Sequence, residues 1–225
     1  MNLTKEYRKD EIMSVNWKDF SLRTLVSLIG ITFISLGASL SETMNMGLDP
    51  FNALNRGASE LLGFNYGTFQ LVVNIIILAI IFFVKREVIG WGTIFNMVLV
   101  GYQVDFFGGL FENLFQVDDM GMPIRIGITI FAILIFALGV AMYKDIDMGI
   151  APYDAITPVL EDLTGWSYGP IRIVQDIAIV IGAYFVGGPV GVSTIITGFF
   201  AGPLISFFSD KITIPLEEKV ESITN

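Results

Sequence analysis

The chain contains no cysteine and no histidine. The first absence excludes disulfides and thiolate chemistry, and the second removes imidazole as an acid, a base or a metal ligand. Charge is scarce as well. Only 16% of the 225 residues are Asp, Glu, Lys or Arg, against about 25% in an average soluble domain. Thirteen bases against 22 acids leave a formal charge of −9, with no basic stripe on which nucleic acid could lie. Neither an enzyme activity nor a cofactor is expected, and nucleic acid is excluded as a partner.

Apolar residues are in excess, at 53% of the chain with a mean hydropathy of +0.68. One globule of this size cannot hide them, so the lipid bilayer must be the solvent for much of the surface. A spanning helix needs about 17 to 25 mostly apolar residues. Six segments qualify: Thr24 to Leu40, Thr68 to Val84, Val88 to Leu110, Ile126 to Tyr143, Ile173 to Val186 and Val190 to Phe208. The fifth is short, and it reaches spanning length only by admitting Arg172 and Asp176. Residues Met1 to Leu22 carry four bases and four acids without a cleavage-site pattern, so the first segment reads as a retained span.

Orientation follows the lysines and arginines. Lys5, Arg8, Lys9, Lys18 and Arg23 precede the first span, Lys85 and Arg86 follow the second, Lys144 follows the fourth, and Lys211 and Lys219 follow the sixth. The other side holds Arg56, Arg125 and the acids Glu112, Asp118 and Asp119. Both termini are therefore expected in the cytoplasm.

Sliding the sequence by 102 residues lays Met46-Gly47-Leu48-Asp49-Pro50-Phe51-Asn52-Ala53-Leu54 on Met148-Gly149-Ile150-Ala151-Pro152-Tyr153-Asp154-Ala155-Ile156. Of the 49 positions from Leu36 to Val84, 15 are identical in the second copy. A one-residue slip then aligns Gly90, Thr93 and Gly101 with Gly191, Thr194 and Gly202. Each copy holds three spans, an odd number, so the second should enter the membrane upside down. The expected fold is all-α: a polytopic membrane protein of six transmembrane helices in two inverted three-helix repeats. Its parts are a cytoplasmic segment over 1–22, repeats over 23–110 and 125–209, an external acidic connection over 111–124 and a cytoplasmic tail over 210–225. In secondary transporters this plan puts the binding site between the halves, at interrupted helices.

The interruption is written into the repeated motif. Glycine permits unusual backbone and proline cannot continue a helix, so the first span of each half should stop near Gly47 or Gly149 and a short amphipathic helix restart at Pro50 or Pro152. Such a helix either lies at the interface or dips inward. Asp49, Asn52 and Asp154 sit at the restart, where unpaired backbone N–H groups favour polar or anionic neighbours. Valine at Gly47 or Gly149 should be tolerated less well than at Gly30 or Gly182, which lie outside the motif.

Inside the spans, Gln70 and Asn74 occupy the positions of Arg172 and Asp176 in the second copy, and the spacing of four puts each pair on one helix face. Charge at membrane depth costs about 2.5 to 3.5 kcal/mol per group, so these residues should face the interior. Arg172 and Asp176 are read as an ion pair facing Gln70 and Asn74 across a pseudo-twofold axis, as a patch for a solute or ion or as structural glue. A two-carboxylate hydrolase would have to draw on Asp105, Asp154 and Asp176, and no protease signature surrounds them.

At Met-Gly-Leu-Asp-Pro-Phe and Leu-Gly-Phe-Asn-Tyr-Gly the chain resembles the YczE/YyaS/YitT group of bacterial integral membrane proteins, in its YczE-like branch, from about Leu22 to Phe208. The resemblance implies a multi-helix protein of the bacterial inner membrane, with no substrate or catalytic residues to carry over. The expected function is secondary or facilitated transport of a small solute or ion, since no nucleotide-binding loop is present. The alternative is a non-transporting accessory or scaffold subunit of a biosynthetic or export system. A homo-oligomer or another membrane protein is the further partner to expect.

Overall fold

A computed structural model describes residues 16–224; the reading of residues 1–15 lies outside them. The described residues form α1 (Trp17–Thr43), α2 (Pro50–Leu62), α3 (Tyr66–Val84), α4 (Trp91–Leu114), α5 (Met122–Asp145), α6 (Pro152–Thr164), α7 (Tyr168–Phe185), α8 (Val192–Phe208) and, after one π-helical turn at Ser209–Thr213, α9 (Ile214–Thr224). Five helical stretches are long and apolar enough to cross a membrane: α1, α3, α4, α5 and the continuous run Val192–Thr224. The remaining long helix, α7, carries Arg172, Gln175 and Asp176.

α4 and α8 begin later than the hydropathy of their segments, read from Val88 and Val190, suggests. Gly90 and Gly191 act as N-caps, each with its N–H bonded to the hydroxyl of Thr93 or Thr194, at 3.1 and 2.9 Å. A 3-10 turn at Arg86–Val88 and the extended Ile89 precede the first cap, and the stretch before each cap pairs with the helix break of the other half. Ile150 N donates to Val88 O at 3.0 Å and Gly92 N to Met148 O at 2.7 Å; likewise Leu48 N donates to Pro189 O at 3.0 Å and Ser193 N to Met46 O at 2.8 Å.

The breaks fall where the motif places them. α1 stops at Thr43 and α2 starts at Pro50; α5 stops at Asp145 and α6 starts at Pro152. Between them Asn45 and Asp147 adopt φ of 55° and 54°, and Gly47 and Gly149 adopt 92° and 102°. A Cβ on Gly47 would lie 2.6 Å from Thr194 Oγ1, and one on Gly149 2.6 Å from Thr93 Oγ1. Both glycines are thus demanded by backbone sign and by close approach.

Gly30 is not the neutral site the sequence suggested. A Cβ there would meet Gly139 O at 2.8 Å, because α1 and α5 cross with backbones almost touching. At the two ends of this antiparallel pair, Arg125 on α5 bonds Met44 O through Nε (2.9 Å) and Nη2 (2.6 Å), and Arg23 on α1 bonds Ile146 O at 3.0 Å. Each arginine thereby closes the carbonyl end of the other helix, the end that favours a cation. Only the Arg23 end is covered by α9: Arg23 also pairs with Glu217 at 3.0 Å, and Lys18 reaches Ile223 O at 2.9 Å.

Candidate functional site

The restart of α2 is buried: Pro50, Phe51, Asn52, Ala53 and Asn55 are inside the bundle, and exposure returns at Leu61 and Leu62. Asp49 is its N-cap and accepts from Asn52 N at 3.3 Å. A carboxylate of the chain itself thus occupies the electropositive helix start. α6 starts from Ala151 with no side-chain cap, and its first-turn acid is Asp154.

Asn52 organises the first half. Its Oδ1 accepts from Gln70 Nε2 at 2.6 Å and from Tyr66 OH at 2.8 Å, and its Nδ2 donates to Asp49 Oδ2 at 2.6 Å. Gln70 and Asn74 are each 3% exposed, and Gln70 Oε1 and Asn74 Oδ1 have no hydrogen-bond partner among the described residues. A buried acceptor left unpaired costs about 1 to 3 kcal/mol.

The second half repeats this arrangement with charges. Arg172 Nη1 donates to Asp154 Oδ1 at 2.6 Å, the counterpart of Gln70 to Asn52, and Arg172 Nε reaches Asp176 Oδ2 at 3.0 Å. Tyr153 OH donates to Asp176 Oδ1 at 2.5 Å, and the Arg172 guanidinium lies 4.9 Å from the Tyr153 ring centre. Two carboxylates share one guanidinium, so the cluster is anionic by one charge. Asp176 is 2% exposed, and the second half's polar centre therefore depends on that sharing for its stability.

The expected ion pair is present, but it does not face Gln70 and Asn74 through polar contacts. No hydrogen bond among the described residues joins the two sets, because each turns to the restart motif of its own half. The two restart motifs touch through Phe51 and Tyr153, whose rings stack with centroids 4.6 Å apart.

Sequence reasoning missed a third cluster. Arg56 on α2 grips Glu42 on α1 with Nε (2.7 Å) and Nη2 (2.9 Å), and Asp105 on α4 with Nη1 (2.8 Å). Asp105 Oδ2 accepts from Asn65 Nδ2 at 3.0 Å and Gly67 N at 3.2 Å, while the Arg56 guanidinium lies 4.0 Å over the Tyr66 ring. This clasp forms part of the wall of a wide cavity of about 980 Å³, which Glu60, Glu112, Asp118 and Asp119 also line. Arg56 is the one base among the lining residues. Tyr66 lines the cavity too, and through its hydroxyl touches Asn52. Gln70, Asn74, Arg172 and Asp176 do not line it; Gln70, Asn74 and Asp176 are buried, while the Arg172 side chain is half-buried.

A family model, that of a family of unknown function, DUF6198, matches residues 21–210. The chain belongs to the DUF6198 family. It is similar to the uncharacterized membrane protein YczE of Bacillus subtilis (strain 168), 24% identical over 191 residues that cover 84% of this chain and 86% of the relative. The uncharacterized protein YyaS of the same organism is 27% identical over 184 residues, 80% of this chain and 89% of the relative. An uncharacterized protein of Haemophilus influenzae is 20% identical over 197 residues, 86% and 88% of the two chains. No solved structure matches. With five apolar helices of spanning length and relatives of this kind, this DUF6198 member is a membrane protein.

Proposed function

We propose that the protein is a secondary or facilitated carrier of the bacterial inner membrane, moving a small polar solute or ion through a site between its halves. On this reading α7 is the sixth span, the halves are inverted repeats, and both termini are cytoplasmic. Equivalent hydrogen bonds at equivalent positions support the repeat, as do the two arginines that close each other's helix ends. Basic residues clustered at one end of the spans support the orientation.

The observation that carries the reading is Tyr66. Its ring lines the acidic cavity and its hydroxyl bonds Asn52 at the interrupted helix, so one side chain connects the vestibule to the polar centre of the first half. The burial of Gln70, Asn74 and Asp176 then corresponds to a closed state that must open for a solute to bind. The test is a thermal-shift screen of purified protein against metabolites and ions. A ligand that raises the unfolding midpoint of the parent but not of Asn52→Leu supports the carrier; a library that leaves the parent unmoved contradicts it.

The burial of Gln70, Asn74 and Asp176 itself favours a second reading, a non-transporting accessory or scaffold subunit for a biosynthetic or export system. That reading expects a stable partner to co-purify from the native membrane, and expects charge-neutral replacements at Arg172 and its two acids to leave cellular function intact.

A further inference from the structure

Besides the vestibule, the structure holds a small cavity of about 10 Å³ where α1, α5 and α8 cross beside the start of α2. It is lined by Asp49, Ser41, Ser193 and Thr197, together with apolar residues of α1 and α5. A cavity of this size has room for about one water-sized sphere. Ser41 is 3% and Ser193 1% exposed, and neither hydroxyl has a hydrogen-bond partner among the described residues. Thr197 Oγ1 donates to Ser193 O at 2.8 Å, which leaves its lone pairs free.

Asp49 supplies the charge. Its two hydrogen bonds come from Asn52, one to each oxygen, so each oxygen retains acceptor capacity. No basic side chain pairs with it among the described residues. The start of α2 offsets part of a negative charge there, yet a carboxylate so placed in a membrane protein generally has a cationic partner. The nearest charged cluster, at Arg172, is itself short of one positive charge, with Asp154 and Asp176 sharing a single guanidinium.

The second half does not repeat this lining. Ser41 corresponds there to Tyr143, which is 2% exposed; Asp49 corresponds to Ala151, Ser193 to Gly92 and Thr197 to Asn96. The carboxylate and the two serine hydroxyls therefore occur together in one half only. A requirement of helix packing would have acted on both.

We infer that Asp49, Ser41, Ser193 and Thr197 form a binding site for a single small alkali cation, of the size of Na⁺. Carboxylate and hydroxyl oxygens are hard donors suited to such an ion, and one carboxylate supplies one charge, where divalent sites usually gather several. The cation sits at the helix break, where interrupted helices of secondary carriers hold coupling ions. Binding itself does not require that the protein transport anything.

The test is the unfolding midpoint of purified protein in NaCl, KCl and choline chloride at equal ionic strength. Na⁺ should raise the midpoint saturably over choline, by roughly 3 to 6 °C at saturation, and K⁺ should act more weakly. Asp49→Asn retains a good N-cap and removes the charge; Thr197→Val retains the shape and removes an oxygen. Both should fold and lose the Na⁺ response, while Asp118→Asn in the vestibule should keep it. Equal parent midpoints in Na⁺ and choline overturn the proposal, as does a Na⁺ response that survives in Asp49→Asn. A response to Na⁺ in a protein whose midpoint no other solute or ion moves would leave this site standing and leave the carrier reading with no cargo other than Na⁺.

Discussion

Phe51 and Tyr153 hold the same position in the two halves and stack on each other, with ring planes 16° from parallel. A residue meets its own repeat counterpart only near an axis that exchanges the halves, and on the proposed inverted-repeat reading this stack lies at that axis. Both rings sit one residue after the prolines that restart α2 and α6, and the interrupted helices therefore converge there. Tyr153 further commits its hydroxyl to Asp176, so the stack and the charged cluster are mechanically joined.

Leucine at Phe51 and at Tyr153, singly and together, should show a coupling of about 0.5 to 1.5 kcal/mol in a double-mutant cycle of unfolding, the usual worth of an aromatic pair. Tyr153→Phe keeps the stack and should cost stability through Asp176 alone. Additive effects at the two positions would show that the rings contribute no mutual energy.

The charged cluster supports a graded prediction. Arg172→Gln alone leaves Asp154 and Asp176 without their shared partner, and should cost about 3 to 5 kcal/mol. The double change Arg172→Gln/Asp176→Asn should recover only part of this, because Asp154 remains. Adding Asp154→Asn recreates the Asn52, Gln70 and Asn74 chemistry of the first half, and the triple variant should unfold close to the parent. Denaturant titration of the four proteins tests the order; a double variant as stable as the triple would place Asp154 outside the cluster.

Much of this architecture was legible in the sequence because the repeat is ungapped where it matters. Gly47, Pro50, Gly149 and Pro152 announce both breaks, since few residues serve positive φ and helix restart as well as these do. Arg56 was not legible as a clasp: its partners Glu42 and Asp105 lie 14 and 49 residues away, and hydropathy reads a lone arginine between spans as a loop charge. Arg23 and Arg125 were counted for orientation although they too are 102 residues apart, because a helix-closing bond to a distant carbonyl leaves no local pattern. The pairing of Asp154 with Arg172 escaped for a similar reason. The i, i+4 spacing pointed Arg172 toward Asp176, whereas its shorter bond crosses to the preceding helix.

Valine at Gly47, Gly149 or Gly30 should each lower folded yield severely, the first two through positive φ and close approach, the third through the α1–α5 crossing. Valine at Gly182, where the nearest atom to a new Cβ is the end of the Leu54 side chain at 3.3 Å, should fold in good yield. Size-exclusion profiles of the four variants provide the check. A monodisperse Gly30→Val protein would contradict the close backbone crossing.

Loss of the vestibule clasp should separate stability from access. Arg56→Gln removes the bidentate grip on Glu42 and the bond to Asp105, leaving two partly buried carboxylates unpaired. The variant should lose about 2 to 4 kcal/mol at neutral pH. Denaturant titration of the two proteins checks this; a variant as stable as the parent would mean that the clasp holds nothing.

The account rests on the two halves lying inverted in the membrane, and Phe64 and Trp166 report on this directly. They are repeat counterparts, each beside the glycine that ends a restarted helix, and both are about 60% exposed. With no native cysteine to interfere, Phe64→Cys and Trp166→Cys can be probed in intact cells with an impermeant thiol reagent. Phe64→Cys should be labelled from outside and Trp166→Cys only after the membrane is opened. Labelling of both from the same side would contradict the inverted repeat, and with it the carrier reading.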